Sequence, residues 1–182
     1  RKQRLRSPLG GDRTVSYSER STKDRLTDQG FWQFSEKKFE THWPGLWENF
    51  GLGEKASGYA SYKFSPFVSH TPDYRAALTE TSVPILVEVQ GTGKGAAIPG
   101  WKFKAKKMEQ LLKWNRIHET TFWLWDNASE TNVWTSVASI QLMIMQGKAT
   151  EHLLDGHRQT WAIECDAVRE HADTHRLEAA YG

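Results

Sequence analysis

The sequence predicts an α/β fold in which a small mixed sheet is flanked by helices. Three observations carry this expectation. Residues 71–90, TPDYRAALTETSVPILVEVQ, hold two apolar-rich runs at 74–79 and 83–89 around a polar turn at 80–82, the pattern of a β-hairpin. Residues 101–118 place apolar side chains at helical spacing. Residues 120–126, TTFWLWD, follow as a continuous apolar run of strand length.

In chain order, residues 1–29 are polar and basic with no lasting period. They read as an extended arm that contacts phosphates, docks on a partner subunit or solubilises the chain. A helix is expected from residue 31 to about His42, on the spacing of Phe31, Phe34, Phe39 and Trp43, with Glu36 and Glu40 one turn apart. Pro44-Gly45 breaks it, and a short helical turn is expected through Phe50. Residues 51–57 are a glycine-containing loop. Residues 59–68, YASYKFSPFV, alternate and are aromatic, so they read as a strand carrying Lys63, with Pro66 marking an edge or bulge.

The hairpin carries the chemistry. Asp73 opens its first run and Glu88 lies near the end of the second. Closure around 80–82 puts Asp73 opposite residue 88 or 89. Glu88 and Gln90 are two apart on a strand and share a face. Two carboxylates and an amide therefore converge at one sheet edge, an all-oxygen arrangement that hard divalent cations prefer. His70, three residues earlier, reads as an exposed loop histidine.

Residues 91–100, GTGKGAAIPG, form a flexible loop. It is not a phosphate-binding P-loop: Glu88 stands where the motif needs its first glycine, and Gly95 where it needs Ser or Thr. Lys94 on this loop is placed to cover a nucleic-acid backbone. The helix expected at 101–118 has an apolar stripe of Trp101, Ala105, Met108, Leu111, Leu112 and Ile117. Its polar positions hold Lys102, Lys104, Lys106, Lys107, Lys113 and Arg116 against a single acid, Glu109, before its end. Such a helix beside a carboxylate strand suits phosphate contact. A buried strand at 120–126, a turn at 127–131, a further pairing segment at 133–137 and a buried helix at 139–146 stopped by Gly147 follow. Residues 148–160 read as a polar connection with helical potential and 161–165 as a short strand ending in a core cysteine, Cys165. Residues 166–182 read as an acidic, helix-prone tail. His171 and His175 are four apart, compatible with zinc, yet the metalloprotease glutamate is absent.

The whole chain sets bounds. Its 182 residues make one domain at 30–182 behind the arm at 1–29. One cysteine excludes a disulfide framework and a cysteine-rich zinc site, and fits a reducing, cytoplasmic setting. No apolar run reaches membrane-spanning length, so no membrane partner is expected. The net charge of +2 says little about partners, and its clustering says more. Nine tryptophans serve mainly as core, with some available to stack on bases.

Pro72-Asp73, a hairpin, and then Glu88-Val89-Gln90 resembles the PD-(D/E)xK nuclease superfamily. The departure is Gln90 where the family usually has lysine; some restriction enzymes of the superfamily carry Glu-x-Gln. The Glu36-Lys37-Lys38-Phe39 segment also resembles the family's first helix. The likeness spans residues 31–126, leaving the arm and a C-terminal extension at 127–182 outside it. It implies a restriction-endonuclease-like core in the order helix, strand, hairpin, helix, strand.

The same resemblance implies metal-dependent phosphodiester hydrolysis. Asp73 and Glu88 would hold Mg²⁺ or Mn²⁺, with the Val89 carbonyl as a further ligand. Gln90 would position water or contact the scissile phosphate. Glu36, with Glu40 as the alternative, would complete the site. Lys102 or Lys104 would supply the ammonium that Gln90 lacks, Lys102 being taken into the catalytic set. Lys94, Lys102, Lys104, Lys106, Lys107 and Lys113 would contact DNA. No sequence-reading motif is recognisable, so structure-selective or weakly specific cutting of the recombination, repair or resolvase type is expected, as in phage or mobile elements. Such enzymes often work as homodimers. Two other readings come from different classes: a catalytically degenerate nuclease-fold protein that binds DNA or assembles particles, and a plain structural protein of a larger particle.

Overall fold

The computed structural model describes residues 33–50, 70–93, 96, 98–154 and 158–172. The N-terminal arm, the strand expected at 59–68 with Lys63, and also Lys94 and His175, lie outside these residues. Helix α1 (residues 33–42) ends before Pro44-Gly45, as expected. A strand, β1 (Leu46–Asn49), then replaces the helical turn expected there. All four of its side chains are exposed, so it has no apolar alternation to be read from sequence. Backbone pairing with β2 (Tyr74–Ala77) defines it, with Asn49 opposite Tyr74.

Strand β2 forms the expected antiparallel hairpin with β3 (Ile85–Thr92), Tyr74 facing Val87. Its turn is closed by Ser82 N donating to Thr79 O at 3.2 Å, and the Thr79 and Ser82 hydroxyls lie 2.7 Å apart. Between this hairpin and the next strand of the sheet lie β4 (Trp101–Lys104) and α2 (Ala105–Asn115). The expected helix at 101–118 thus begins four residues later than the sequence suggests. Trp101 and Phe103 are wholly buried while Lys102 and Lys104 are not, which is strand alternation.

Strand β5 (Thr120–Asp126) runs parallel to β3, with Glu88 opposite Phe122. It is buried at all its positions, as a central strand covered on both faces must be. Strand β6 (Thr131–Ser136) pairs antiparallel with β5 and continues the sheet past residue 126. The order β1-β2-β3-β5-β6 makes a mixed five-stranded sheet. Helix α3 (Val137–Met145) starts at Ser136, whose Oγ accepts from Ser139 N at 3.0 Å.

The polar connection expected at 148–160 is instead strand β7 (Thr150–Leu154) and the start of β8 (Arg158–Ile163). With β4 they form a second sheet, order β4-β8-β7. Cys165 opens α4 (Cys165–His171), half-buried at the margin of the core.

The main sheet is covered on both faces. On one, Phe39 and Trp43 of α1 and its C-terminal flank pack on Tyr74, Val87, Val89, Trp123 and Trp125. On the other, Met108 and Leu111 of α2 and Ile140 and Met143 of α3 pack with Phe122, Leu124, Trp101, Phe103 and Ile163. The second sheet is therefore continuous with the core under α2. Arg169 of α4 fastens this end. Its Nη2 donates to Asp126 Oδ2 at 2.7 Å and Ser129 Oγ at 2.9 Å, and its guanidinium lies 5.7 Å from the Trp101 ring.

Two glycines test this arrangement. Gly100, at φ +79°, leads into β4, and a Cβ there would lie 2.3 Å from the Ile163 carbonyl oxygen of β8. Gly147, at φ +72° after α3, has no atom within 4 Å of such a Cβ. Gly147→Ala should cost about 1–2 kcal/mol, the left-handed penalty alone. Gly100→Ala adds a backbone clash between the two strands and should cost at least about 3 kcal/mol. Urea denaturation of the two variants checks the ranking.

Candidate active site

The site forms where β2 begins. Ladder pairing of Tyr74 with Val87 carries Asp73 opposite Glu88. Asp73 N donates to Val87 O at 3.0 Å, and Asp73 Oδ2 accepts from Val89 N at 2.8 Å. The Asp73 side chain thus takes over the hydrogen bond that a longer β2 would have made. Backbone groups of one residue share a strand edge, so the Val89 carbonyl points toward the same side as its N–H, past the start of β2. Phe50 N donates to Asp73 O at 2.8 Å and fixes this corner from β1.

Glu88 faces α2. Its ladder partner Phe122 belongs to the α2 side of the core, and its side chain is wholly buried. Lys107, in the first turn of α2, forms an ion pair with Glu88 Oε1. Its side chain remains 27% exposed, so the stem borders solvent while the ammonium reaches inward. Neither Glu88 carboxylate oxygen receives a well-aligned hydrogen bond from the described residues. Buried carboxylate oxygens left in this state are unusual and costly.

The electrostatics follow from these positions. Burial pushes the Glu88 carboxyl well above the ordinary value of 4.5, the neighbouring Asp73 charge adds to the rise, and Lys107 opposes it. Burial would lower the Lys107 ammonium, yet the charges of Glu88, Asp73 and Glu36 outweigh that and raise it. Glu36 of α1 is itself buried, and its charge reaches both Lys107 and Tyr74. Glu40 accepts a hydrogen bond from the buried Tyr74 hydroxyl at 2.9 Å, which together with burial raises the phenol. The two helix glutamates thus divide: Glu40 holds Tyr74, while the Glu36 charge also reaches the ammonium. Burial, and then the charges of Lys107, Lys106 and Lys104, lower the His70 imidazole from its ordinary value. Its carbonyl accepts from Trp114 Nε1 at 3.1 Å, which ties the approach to Asp73 onto α2. It is half-buried here, not the exposed loop residue expected from sequence.

The remaining expected site residues are placed as follows. Gln90 is on β3, two residues beyond Glu88 on the same face and half-buried. Lys102 is not on the helix: it lies on β4 opposite Ala162 of β8. Lys104 precedes the first turn of α2, and Lys106 is exposed within it. Lys113 pairs with Glu109 at 3.1 Å on the outer face. The sequence reading placed Lys107 among the DNA-contacting lysines and did not bring it to Glu88. It stands 19 positions after Glu88 and shares no local period with it. The available signal was charge: the first turn of α2 holds two lysines and no acid, against the helix dipole.

The donor set suits a divalent ion in part. Among the described residues no three Asp, Glu, His or Cys side chains gather closely enough to enclose a metal. Two carboxylates, one with both oxygens short of hydrogen bonds, share a single ammonium. A cation held by few protein ligands and its own waters, as Mg²⁺ commonly is, fits such a set.

The net surplus of buried negative charge makes a stability prediction. The raised Glu88 carboxyl holds its proton more tightly folded than unfolded, so in EDTA stability should fall as pH rises above 4.5 toward the folded value. Glu88→Gln removes that slope and leaves Asp73 to pair with Lys107. Its Tm at neutral pH should rise by about 2–4 °C, equivalent to ~1 kcal/mol in a chain of this size. Thermal unfolding in EDTA across pH measures both.

No family model matches the chain, and no curated protein matches it in sequence. Among solved structures it is similar to Hjc, a Holliday junction resolvase from the archaeal hyperthermophile Archaeoglobus fulgidus, at 11% identity and a TM-score of 0.50, covering 83% of this chain and 98% of that one. It also aligns with D212, a nuclease from a fusselovirus, at 11% identity and a TM-score of 0.40, covering 86% and 94%. At such identity the likeness to Hjc is one of fold: a mixed five-stranded sheet flanked by helices, the restriction-endonuclease-like nuclease fold.

Proposed function

We propose that this protein is a metal-dependent DNA endonuclease that hydrolyses phosphodiester bonds and selects its substrate by structure more than by sequence. The observation that carries this reading is the Glu88 carboxylate, wholly buried beside Asp73 and met by the Lys107 ammonium. Burying one acid beside a second, half-buried acid against a single cation is costly unless the site is built for another cation. The restriction-endonuclease-like fold supports the reading, and the resolvase function of Hjc points in the same direction.

Asp73 and Glu88 would hold Mg²⁺ or Mn²⁺, with the Val89 carbonyl as the further ligand. The bound ion would lower the pKa of a water and neutralise charge developing on the phosphate. The chain's own residues do the rest. Val89 N–H fixes the Asp73 carboxylate at 2.8 Å, so its orientation beside Glu88 is preset. Gln90, an amide with no basic nitrogen, orients the water or the scissile phosphate by hydrogen bonding. Glu36 adds negative charge at the same corner. Lys104 and Lys106 lie at the positively polarised start of α2, where an anionic backbone is favoured on two counts. No helix among the described residues is long and apolar enough to cross a membrane.

A second reading keeps the DNA partner and drops the chemistry. Gln90 and the existing Lys107–Glu88 pair favour it, since Glu88 already has a counter-charge. It describes a degenerate nuclease-fold protein that binds DNA or serves in particle assembly, and it makes Glu88→Gln harmless to function.

The deciding experiment is cleavage of supercoiled, linear, flapped and four-way-junction DNA with Mg²⁺, Mn²⁺ or EDTA. Asp73→Ala and Glu88→Ala should each lose about a thousandfold or more in rate. Both should keep most of their DNA affinity, which comes from lysine–phosphate contacts. Mn²⁺ at a hundredfold over its Kd should stabilise the unaltered protein by about 2.7 kcal/mol and leave Glu88→Gln nearly unmoved. Cleavage by Asp73→Ala, with contamination excluded, would sink the proposal; binding without cleavage by the unaltered protein would move it to the second reading.

A further inference from the structure

We propose that Lys107 of α2 is the catalytic lysine of this site, supplying from the helix the ammonium for which β3 carries Gln90. The inference rests on the nuclease reading above and assigns a residue within it. Four observations carry it. Lys107 Nζ lies on Glu88 Oε1, in contact with the carboxylate that centres the site. Gln90 shares the Glu88 face of β3, two residues along, and brings no charge. The Lys107 side chain is 27% exposed, so its stem borders solvent and its ammonium can turn from Glu88 to a phosphate arriving from outside. Its place in the first turn of a helix, beside Lys106 and with no acid nearby in that turn, works against helix stability.

The position also separates Lys107 from its neighbours on the same segment. Lys102 is built into β4, opposite Ala162, and Lys104 ends that strand opposite Thr160. Lys107 is on the helix proper, in the turn that faces the hairpin. In the resting site the ammonium holds Glu88; with substrate bound it would donate to a non-bridging oxygen of the scissile phosphate and leave Glu88 to the cation. No bond is made or broken at Lys107 in this role. It stabilises charge as it develops on the phosphate.

The test uses the full chain, the DNA that the unaltered protein cuts best, and three variants: Lys107→Met, Gln90→Lys, and the two combined. Two quantities are read, steady-state cleavage and Mn²⁺ affinity by calorimetry without DNA. Lys107→Met should lose about a hundredfold in kcat, the scale of removing one preorganised charge donor, with KM little changed. Its Mn²⁺ affinity should be equal or tighter, because a competing cation has left Glu88. The double variant should recover at least about tenfold of the lost kcat, since Gln90→Lys returns a cation to the same face. Lys107→Met cutting within about threefold of the unaltered protein overturns the assignment, as does joint loss of cleavage and Mn²⁺ binding, the mark of a structural role. Failure of the double variant to exceed Lys107→Met overturns the link to Gln90. An unaltered protein that cuts nothing fails the nuclease reading itself, and this inference with it.

Discussion

The interaction on which the rest depends is the burial of Glu88 against Lys107. A carboxylate taken wholly out of water costs several kcal/mol even after relaxation, and one ammonium with imperfect hydrogen bonding does not fully offset it. Asp73 makes the balance worse by adding a second negative charge. The fold tolerates this because each participant is fixed by something else. β3 is held on both edges, by β2 and β5, so Glu88 has no freedom to swing into water. Asp73 is tied by its own N–H and by Val89 N. Lys107 is carried by a helix whose Met108 and Leu111 are sunk in the core. The large apolar core meets the cost of the site, and the surplus charge is what the proposed cation would offset.

Strand β4 is the device that aims the helix. Had the helix begun at Trp101, its lysines would be spread over two turns around the axis. Placing Trp101 and Phe103 in a strand buries the indole and the phenyl ring by alternation and starts the helix four residues later. Lys106 and Lys107 then fall in its first turn, next to the hairpin, with Lys104 at the boundary. The positive end of the helix and these side chains act together, which costs helix stability and raises the local potential for anions.

What could be read from sequence was what is local. The hairpin was legible because turn chemistry and period two lie within 20 residues, and the facing of Asp73 and Glu88 followed from counting. The helix boundary was not. Trp101, Ala105, Met108 and Leu112 fit a helical stripe as well as Trp101 and Phe103 fit a strand, and only pairing with β8, some 60 residues away, decides between them. Strand β7 and the first half of β8 were missed for the same reason: a short polar-led segment such as TEHLL has no signature until its partner is known. β1 exposes every side chain and is a strand only through β2. Lys107 belongs to this class, since no spacing rule links a strand residue to one on a helix after an intervening strand.

The C-terminal part of the chain, outside the resemblance read from sequence, therefore has a part in the site. β8 pairs with β4 along its length, and the position of β4 sets where α2 starts. α4 locks this end through Arg169, which binds Asp126 and Ser129 at the end of β5 and lies against Trp101 at the start of β4. Burial opposes the Asp126 charge, but hydrogen bonds from Ser129, Arg169 and Ala128 outweigh it and hold the carboxyl below its ordinary range. That contribution is present above about pH 4 and fades as the acid is protonated at lower pH. A lysine supplied by the carboxylate strand itself would need none of this support. A lysine supplied by α2 needs the helix, the strand before it and the sheet that strand joins, so the placement of one ammonium ties residues 150–169 to the corner where Asp73 and Glu88 meet.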